Sequence, residues 1–373
     1  MCKKPLRSFY ICAMTSTKFL PADYTQNLSS TSFSYASPSN IALIKYWGKQ
    51  GIQIPKNPSI SFTLDTCRTT TTLHFEKRDN HKEDFEVKVI LDGKHKPGFE
   101  AKIHQFFSRI LQYMPFVKEY KFIVETTNSF PHSSGIASSA SGFSAIALCL
   151  MEMEREMQPG LTDTYFTQKA SFIARLGSGS GCRSLEGPLV VWGEHSEIEG
   201  SSDIYGVSYP YEVHENFKDF QDAILLVDQG EKQVSSTVGH NLMHNHPYAE
   251  SRFNQAHENL AKLIPILKNG DLDSFIHIVE SEALTLHAMM LTSSPYFILM
   301  KPNTLKIIEE IWEYRRETGI PLCFTLDAGA NVHVLFPKNY KNEVQDFIKS
   351  SLSEYCQNNR YIFDSVGTGA IKL

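Results

Sequence analysis

A loop of glycine and small hydroxyl residues that runs straight into a helix constrains this chain more than any other feature. Residues 131–143 read PHSSGIASSASGF, and apolar residues continue at helical spacing through Ala140, Phe143, Ala147 and Leu150. Free backbone N–H groups and the helix dipole favour an anion there, and small side chains let a phosphate approach the backbone. The loop therefore predicts a nucleotide or phosphate-ester enzyme. Judged by its glycines alone, it equally suits an ordinary capped turn.

The length and composition are typical of a soluble protein with two globular domains. The chain has 373 residues, of which 42% are hydrophobic and 21% charged, and one domain usually takes about 100–200 residues. A net charge of −5 gives nucleic acid and anionic membranes no electrostatic attraction. No apolar stretch approaches the roughly 20 residues that span a bilayer. We therefore expect neither nucleic acid nor a membrane as a partner.

Cysteine usage and the N-terminus bear on where the protein works. The seven cysteines are scattered, and no C-x-x-C pair occurs, which disfavours a zinc ribbon or a disulfide framework and indicates a reducing cytoplasm. Residues 1–30 are rich in serine and threonine, and we expect them to form a loose extension. The apolar patch at 9–14 is shorter than the roughly 7–15 residues of a signal-peptide core.

Strand and helix patterns alternate irregularly along the chain, which favours an α+β fold over a regular parallel α/β fold. Two strands are expected at 59–64 and 69–75, joined by a turn at 65–68. We place a domain boundary near residue 218, so that the domains are residues 31–218 and 219–373. Further strands are predicted at 85–91, 120–125, 188–192, 223–227, 321–325 and 332–336, and helices at 101–113, 165–176, 250–268, 271–292 and 301–318.

A second segment, SPSNIALIKYWGK at 37–49, combines cations and aromatic rings. Lys45, Tyr46, Trp47 and Lys49 fall within five residues. Lysines at this density can hold a phosphorylated substrate, and aromatic rings can wall a pocket and exclude water. Taken alone, the segment also suits a surface strand with an aromatic anchor and extended lysines.

Two further segments carry candidate polar groups. RLGSGSGCRS at 175–184 offers hydroxyls, backbone N–H groups and the guanidinium of Arg183, which suit a carboxylate or phosphate. A flexible linker is disfavoured, because a buried strand is predicted to follow at once. In TLDAGANVHV, Asp327 ends an apolar strand, where a carboxylate can act as a base in a cleft. An ordinary turn aspartate is the alternative.

The segment DQGEKQVSST at 228–237 and the histidines after it are less specific. Ser235 and Ser236 suit either a phosphate contact or a helix cap. His240, His244 and His246 have partly metal-ligand spacing, but no cysteine or carboxylate completes a set. We therefore expect them to be solvated surface histidines.

Taken together, the motifs resemble those of one family, the mevalonate diphosphate decarboxylases of the galactokinase, homoserine kinase, mevalonate kinase and phosphomevalonate kinase superfamily. They occur in the family's order and cover the chain from about residue 35 to 340. The most specific are K-Y-W-G-K and G-S-G-S-x-C-R-S. The shared motifs are N-I-A-x-x-K-Y-W-G-K at 40–49, N-x-S-I-S-x-T-L at 57–64, F-P-x-x-x-G-x-A-S-S-A at 130–140, G-S-G-S-x-C-R-S at 177–184, V-S-S-T at 234–237 and D-A-G-x-N at 327–331.

The resemblance implies a βα N-terminal domain, a ferredoxin-like C-terminal domain and an active site in the cleft between them. It implies that ATP phosphorylates the 3-hydroxyl of mevalonate 5-diphosphate, after which phosphate and carbon dioxide leave and isopentenyl diphosphate remains. Asp327 would face the 3-hydroxyl, Lys45 would offset charge near it, and Arg183 would grip the substrate carboxylate. The other implied substrate contacts are Tyr46, Trp47, Lys49, Lys102, Ser178, Ser180, Ser235 and Ser236.

The resemblance also implies ATP and Mg²⁺ as cofactors and a homodimer as the assembly. The ATP phosphates would lie against the loop at 131–139, with Mg²⁺ near Ser139 or its neighbour. The implied ATP contacts are Pro131, Gly135, Ile136, Ala137, Ser138 and Ser139.

Some residues depart from the family pattern at the diphosphate end. Gln50 and Gly51 replace an Arg-Asp pair in a shortened loop, and a family arginine aligns with Lys102. Because a lysine lacks the bidentate fork of arginine, a decarboxylase of mevalonate 5-phosphate is an alternative. A superfamily kinase that does not decarboxylate is another, although Arg183 in its motif argues against it. A catalytically inactive binding protein is disfavoured by the presence of Asp327 and Lys45.

Overall fold

The computed structural model describes residues 16–79, 84–131, 136–230 and 236–373, without the side chains of Ser236 and Thr237. Gly135 and Ser235, which the sequence marks as phosphate contacts, lie outside the described residues. None of the described helices combines the length and the hydropathy needed to cross a membrane.

An eight-stranded mixed sheet forms the N-terminal half. The strands of this half and the small β2–β3 hairpin are β1 (Ser32–Ile44), β2 (Lys49–Gln50), β3 (Ile54–Pro55), β4 (Ser59–Lys77), β5 (Glu86–Leu91), β6 (Lys94–His95), β7 (Tyr120–Asn128), β8 (Leu189–Trp192) and β9 (Val207–Ser208), and β14 (Ile371–Lys372) joins them. The main path of the sheet runs β14-β1-β4-β7-β5-β6, with β8 beside β4 and β9 beside β8. Among the described strands of this sheet, only β5 and β7 pair in parallel, as the irregular order of predicted elements favours.

Three helices pack on this sheet: α1 (Pro97–Ile110), α2 (Ser138–Met157) and α3 (Asp163–Gly177). Their apolar faces join the strands in one buried cluster. Phe19 is fully buried in that cluster and stacks on Phe172, with ring centroids 4.7 Å apart. This part of the expected loose extension is therefore packed against the domain.

The turn predicted at 65–68 is wrong, because β4 runs unbroken through those residues. Its pairing with β1 is interrupted there: Pro38 pairs with Arg68, but Asn40 pairs with Thr63. The freed backbone N–H groups of residues 65–67 instead donate to the buried carboxylate of Asp364, over 2.8–3.1 Å. The polar residues that suggested a turn therefore lie in a long bulge of β4, whose backbone N–H groups are bound by a distant side chain.

The C-terminal half has the order of a ferredoxin-like domain. Its four antiparallel strands are ordered β11-β12-β10-β13, and helices separate the first from the second and the third from the fourth along the chain. The strands are β10 (Gln221–Leu225), β11 (Cys323–Leu326), β12 (Val332–Phe336) and β13 (Tyr361–Ser365), and the helices from residue 215 onward are α4 (Glu215–Lys218), α5 (Ser236–Asn241), α6 (Ala249–Asn269), α7 (Leu272–Leu291), α8 (Pro302–Thr318) and α9 (Lys341–Phe347).

The two halves share a core. Ile41 and Phe62 of the first sheet lie in one buried cluster with Leu260 and Phe275 of α6 and α7. The chain then returns, because β14 pairs with β1. The last residues of the expected C-terminal domain therefore belong to the N-terminal sheet, and the boundary near residue 218 stays a prediction.

Candidate active site

A cavity of about 500 Å³ is lined by residues from both halves of the molecule. Among the described residues that line it, five carry cationic side chains and one a carboxylate, which suits a ligand with several negative charges. These residues are Lys45, Lys49, Lys102, Arg109, Arg183 and Asp327.

Lys45 and Asp327 form an ion pair in this cavity across the two halves. Lys45 follows β1 and its Nζ lies 3.2 Å from Oδ1 of Asp327, which follows β11. The Lys45 side chain is 2% exposed, whereas that of Asp327 is 33% exposed. Burial lowers the pKa of Lys45, and the charge of Asp327 opposes that change. The pair thus offers the cavity a carboxylate beside a compensating ammonium.

The backbone of Lys45 is held by a buried ion pair from the second half. Glu282 of α7 accepts the Lys45 N–H at 2.9 Å, and Arg252 of α6 donates to the Lys45 carbonyl at 3.0 Å. Arg252 also donates twice to Glu282, at 3.0 and 2.6 Å, and both side chains are fully buried. Asn57 donates to the same Lys45 carbonyl at 2.9 Å. These contacts fix the strand end from which the Lys45 side chain projects.

Arg183 offers the cavity a buried cation. The glycine-rich segment after α3 forms a short 3-10 turn, Gly179–Arg183, and Arg183 is 3% exposed. Its Nη1 donates to Ser59 Oγ at 2.5 Å, and burial lowers its pKa. Its Nε is buried without a hydrogen-bond partner among the described residues. Such a guanidinium suits a carboxylate or phosphate.

Gly179 lets Trp192 and Tyr46 pack closely against the turn that carries Arg183. A Cβ there would lie 3.0 Å from the Trp192 ring and 3.1 Å from the Tyr46 hydroxyl. Burial raises the pKa of Tyr46, so its hydroxyl stays protonated at neutral pH.

His240 joins the aromatic wall from α5. Its ring centroid lies 4.2 Å from that of Tyr46 and 4.6 Å from that of Trp47, and its Nδ1 accepts the Gly48 N–H at 3.0 Å. Burial, with a smaller effect from the charges of Lys49 and Arg183, lowers the pKa of His240 to about 3. The ring is therefore neutral at physiological pH, with its proton on Nε2.

The expectation of surface histidines is wrong for two of the three residues. His240 and His246 are each 7% exposed, and only His244 is exposed. His246 Nε2 lies 3.0 Å from the Met289 carbonyl. Both buried rings are therefore engaged in packing and hydrogen bonds, a role that spacing alone does not reveal.

The start of α2 opens onto the cavity as the sequence predicts. Ala137 precedes the helix in the left-handed region, with φ of 35°, and its own side chain makes no capping hydrogen bond to the first turn. Ser138 and Ser139 line the cavity with Ala137, so the helix start offers backbone donors and two hydroxyls to an anion. Ser39 Oγ donates to the Ile136 carbonyl at 3.0 Å, which anchors the loop.

Most of the predicted site residues meet in this cavity. Pro131 and Ile136 do not line it, and the Ile136 side chain is buried in the shared core. Ser236 starts α5, but its side chain is outside the description. The predicted residues that line the cavity are Lys45, Tyr46, Trp47, Lys49, Lys102, Ala137, Ser138, Ser139, Ser178, Ser180, Arg183 and Asp327.

Sequence reasoning missed several residues of the site: Arg109, His240 and the Arg252–Glu282 pair. Arg109 carried a usable signal, because it lies seven residues after Lys102 and therefore on the same face of one helix. The Arg252–Glu282 pair carried none, since its two members are 30 residues apart on different helices.

Comparison with known proteins decides the family. The model of the diphosphomevalonate decarboxylase-like N-terminal domain matches residues 37–204, and that of the mevalonate 5-diphosphate decarboxylase C-terminal domain matches residues 223–368. A diphosphomevalonate decarboxylase of Ganoderma lucidum is 31% identical over 330 residues, which cover 84% of this chain and 80% of that protein. The chain belongs to the diphosphomevalonate decarboxylase family.

Solved structures of the family have the same fold. A structure of MDDEF in complex with MVAPP, AMPPCP and magnesium is 29% identical, with a TM-score of 0.77, over 92% of this chain and 99% of that one. The mevalonate diphosphate decarboxylase of Staphylococcus aureus is 28% identical, with a TM-score of 0.77, over 92% of this chain and 98% of that one. The two-domain α+β fold that the resemblance implied is therefore confirmed.

Proposed function

We propose that this protein converts mevalonate 5-diphosphate, with ATP, into isopentenyl diphosphate, ADP, phosphate and carbon dioxide, as a step of isoprenoid biosynthesis by the mevalonate pathway. The observation that carries the proposal is the Lys45–Asp327 ion pair, which shares one cavity with Arg183. A kinase needs the Lys45–Asp327 pair, whereas a decarboxylase needs that pair and Arg183. The related structure that holds MVAPP and an ATP analogue supports the same pair of substrates.

In the first step the 3-hydroxyl of the substrate attacks the γ-phosphate of ATP. Asp327, the carboxylate of the cavity lining, orients that hydroxyl and accepts its proton. Lys45 offsets the charge on the carboxylate and on the transferring phosphoryl group. Because phosphoryl transfer has a loose transition state, positioning contributes more than proton abstraction.

In the second step the 3-phosphate leaves and the carboxylate is lost. Departure of phosphate puts positive character on the tertiary carbon, and the electron pair of the breaking bond to the carboxylate forms the new double bond. Arg183, with Ser178 and Ser180 beside it in the lining, holds the carboxylate in line for this loss. Burial keeps water away from the developing cation.

The phosphates of ATP suit the start of α2. Ala137, Ser138 and Ser139 present backbone donors and hydroxyls to the cavity. The oxygen donors of Ser138 and Ser139 fit Mg²⁺, and we propose Ser139 as its protein ligand. When bound, Mg²⁺ neutralises charge on the ATP phosphates. By resemblance, Ser235 or Ser236 reaches the transferred phosphate from the second half.

We also propose a cytoplasmic location and a homodimer. Five cysteines, Cys67, Cys149, Cys182, Cys323 and Cys356, are buried free thiols, which suits a reducing compartment. The homodimer rests on the resemblance alone. Light scattering of the purified protein measures its mass directly.

The proposed reaction is tested by incubating purified protein with Mg-ATP and, in separate reactions, mevalonate 5-diphosphate, mevalonate 5-phosphate or mevalonate. ADP and carbon dioxide are followed together. Equal release of both from the diphosphate alone supports the proposal. Release of both from the monophosphate alone identifies the alternative decarboxylase, and ADP without carbon dioxide identifies a kinase.

A further inference from the structure

Three cations form a basic wall at one side of the cavity, and Arg109 is the one of them to which the resemblance assigns no substrate contact. Lys49 follows the aromatic segment, and Lys102 and Arg109 lie on α1. Seven residues separate the last two, which is close to two helical turns, so both project from the same face. Arg109 Nη1 donates to the Leu176 carbonyl near the end of α3 at 2.9 Å. That bond anchors one edge of the guanidinium and leaves its other donors available.

The basic wall has no compensating carboxylate among the residues that the structure describes. Lys49 Nζ donates to Gln53 Oε1 at 3.2 Å, and within the described parts of the chain none of the three cations has a salt-bridge partner. Burial lowers the pKa of both Lys49 and Arg109, and the charge of Arg109 lowers that of Lys49 further. Like charges held together at a cost in free energy are relieved by a multiply charged anion.

We propose that Arg109 contacts the terminal phosphate of the substrate's 5-diphosphate and makes the enzyme prefer the diphosphate to the monophosphate. The inference rests on the proposed function. By the resemblance, position 102 aligns with a family arginine, but it holds a lysine, which cannot bind a phosphate bidentately. Arg109 restores a guanidinium to the same helix face two turns later. Lys49 and Lys102 contact the phosphate that both substrates possess.

The test compares Arg109→Gln and Arg109→Lys with the wild type on both substrates, with carbon dioxide release as the readout. Because Arg109→Gln removes a charge-assisted hydrogen bond, we expect it to lower kcat/KM for the diphosphate by roughly 10- to 100-fold. The loss falls in KM, because the contact is equal in the ground and transition states. For the monophosphate, kcat/KM of Arg109→Gln changes by less than about threefold. On the diphosphate, kcat/KM of Arg109→Lys lies between those of the wild type and Arg109→Gln.

Lys96→Gln is the matched control, because Lys96 is exposed, directly precedes α1 and does not line the cavity. It removes the same charge and is expected to leave both substrates unaffected. An equal loss on both substrates in Arg109→Gln, or a loss no larger than in Lys96→Gln, overturns the proposal.

Binding of inorganic pyrophosphate, measured by calorimetry, separates this inference from the proposed function. Wild type is expected to bind pyrophosphate more tightly than inorganic phosphate, and Arg109→Gln is expected to lose that difference. If the wild type releases no carbon dioxide, the proposed function fails, but the pyrophosphate comparison still decides whether Arg109 binds a diphosphate. Equal pyrophosphate affinity in wild type and Arg109→Gln refutes the role.

Discussion

At the scale of single residues, the carboxylate of Asp327 is the group on which we propose that phosphorylation depends. We expect Asp327→Asn to lower kcat by about 10²- to 10⁴-fold, because the amide cannot accept a proton and no longer balances the charge of Lys45. ADP and carbon dioxide should fall together, since phosphorylation comes first. Asp346→Asn, at a side chain that is 77% exposed, is the control. Carbon dioxide release within about tenfold of wild type would contradict this role.

Arg183 allows the two chemical steps to be told apart. Its partly unpaired guanidinium is proposed to hold the substrate carboxylate, which matters for decarboxylation rather than for phosphoryl transfer. We therefore expect Arg183→Gln to release less carbon dioxide than ADP, whereas the wild type releases equal amounts. Simultaneous assay of both products gives the ratio. A ratio that stays at one, with both rates lowered equally, would show that Arg183 acts only before phosphorylation.

At the scale of secondary-structure elements, the sequence predicts what local pattern encodes. The helix start at Ser138 and the strand that ends before Asp327 follow from periodicity and glycine placement. The turn predicted at 65–68 is wrong because the backbone N–H groups of residues 65–67 donate to Asp364, almost 300 positions away in the chain. The hydrogen bond from the Lys45 N–H to Glu282 could not be predicted for the same reason, since a contact across 237 positions leaves no local pattern.

Through Arg252 and Glu282, α6 and α7 position the backbone of Lys45, a residue proposed to act in catalysis. We expect Glu282→Gln to cost about 3–5 kcal/mol in the free energy of unfolding, because Arg252 is left as an unpaired buried charge. Activity should also fall, since the Lys45 N–H donates to the same carboxylate. Urea unfolding and steady-state kinetics measure the two effects.

A double variant, Arg252→Met with Glu282→Leu, separates stability from positioning. Apolar replacement of both partners often recovers the stability that a single change loses. We expect that recovery here without recovery of kcat, because neither side chain can then hold the Lys45 backbone. If the double variant regains both the stability and kcat of the wild type, the Arg252–Glu282 pair contributes to stability alone.

At the scale of the whole molecule, the active site depends on the contact between the two halves. Asp327 and His240 come from the second half, whereas Lys45, Trp47 and Arg183 come from the first. The shared core and the return of β14 to β1 tie these groups together. The sequence predicted which residues meet, through resemblance, but pattern alone gave neither the shared core nor the burial of His240.

Burial of neutral histidines between the halves makes the folded molecule sensitive to acid. His287 lies on α7, with its Nε2 3.1 Å from the Asp327 carbonyl oxygen. The pKa of His240 is lowered to about 3 and that of His287 to about 4, in both cases mainly by burial, whereas an unfolded histidine titrates at about 6.5. Between these values the unfolded state binds more protons, so stability rises with pH and is lost as pH falls below about 6.5. Each residue contributes up to about 1.4 kcal/mol per pH unit.

We expect His240→Gln and His287→Gln each to reduce the slope of unfolding free energy against pH by that amount between about pH 6 and 4.5, as measured by urea titration. His244→Gln, at an exposed histidine, should leave the slope unchanged. An unaltered slope in both buried-site variants would mean that the two rings are protonated in the folded state. The assignment of a neutral His240 ring between Tyr46 and Trp47 would then be wrong.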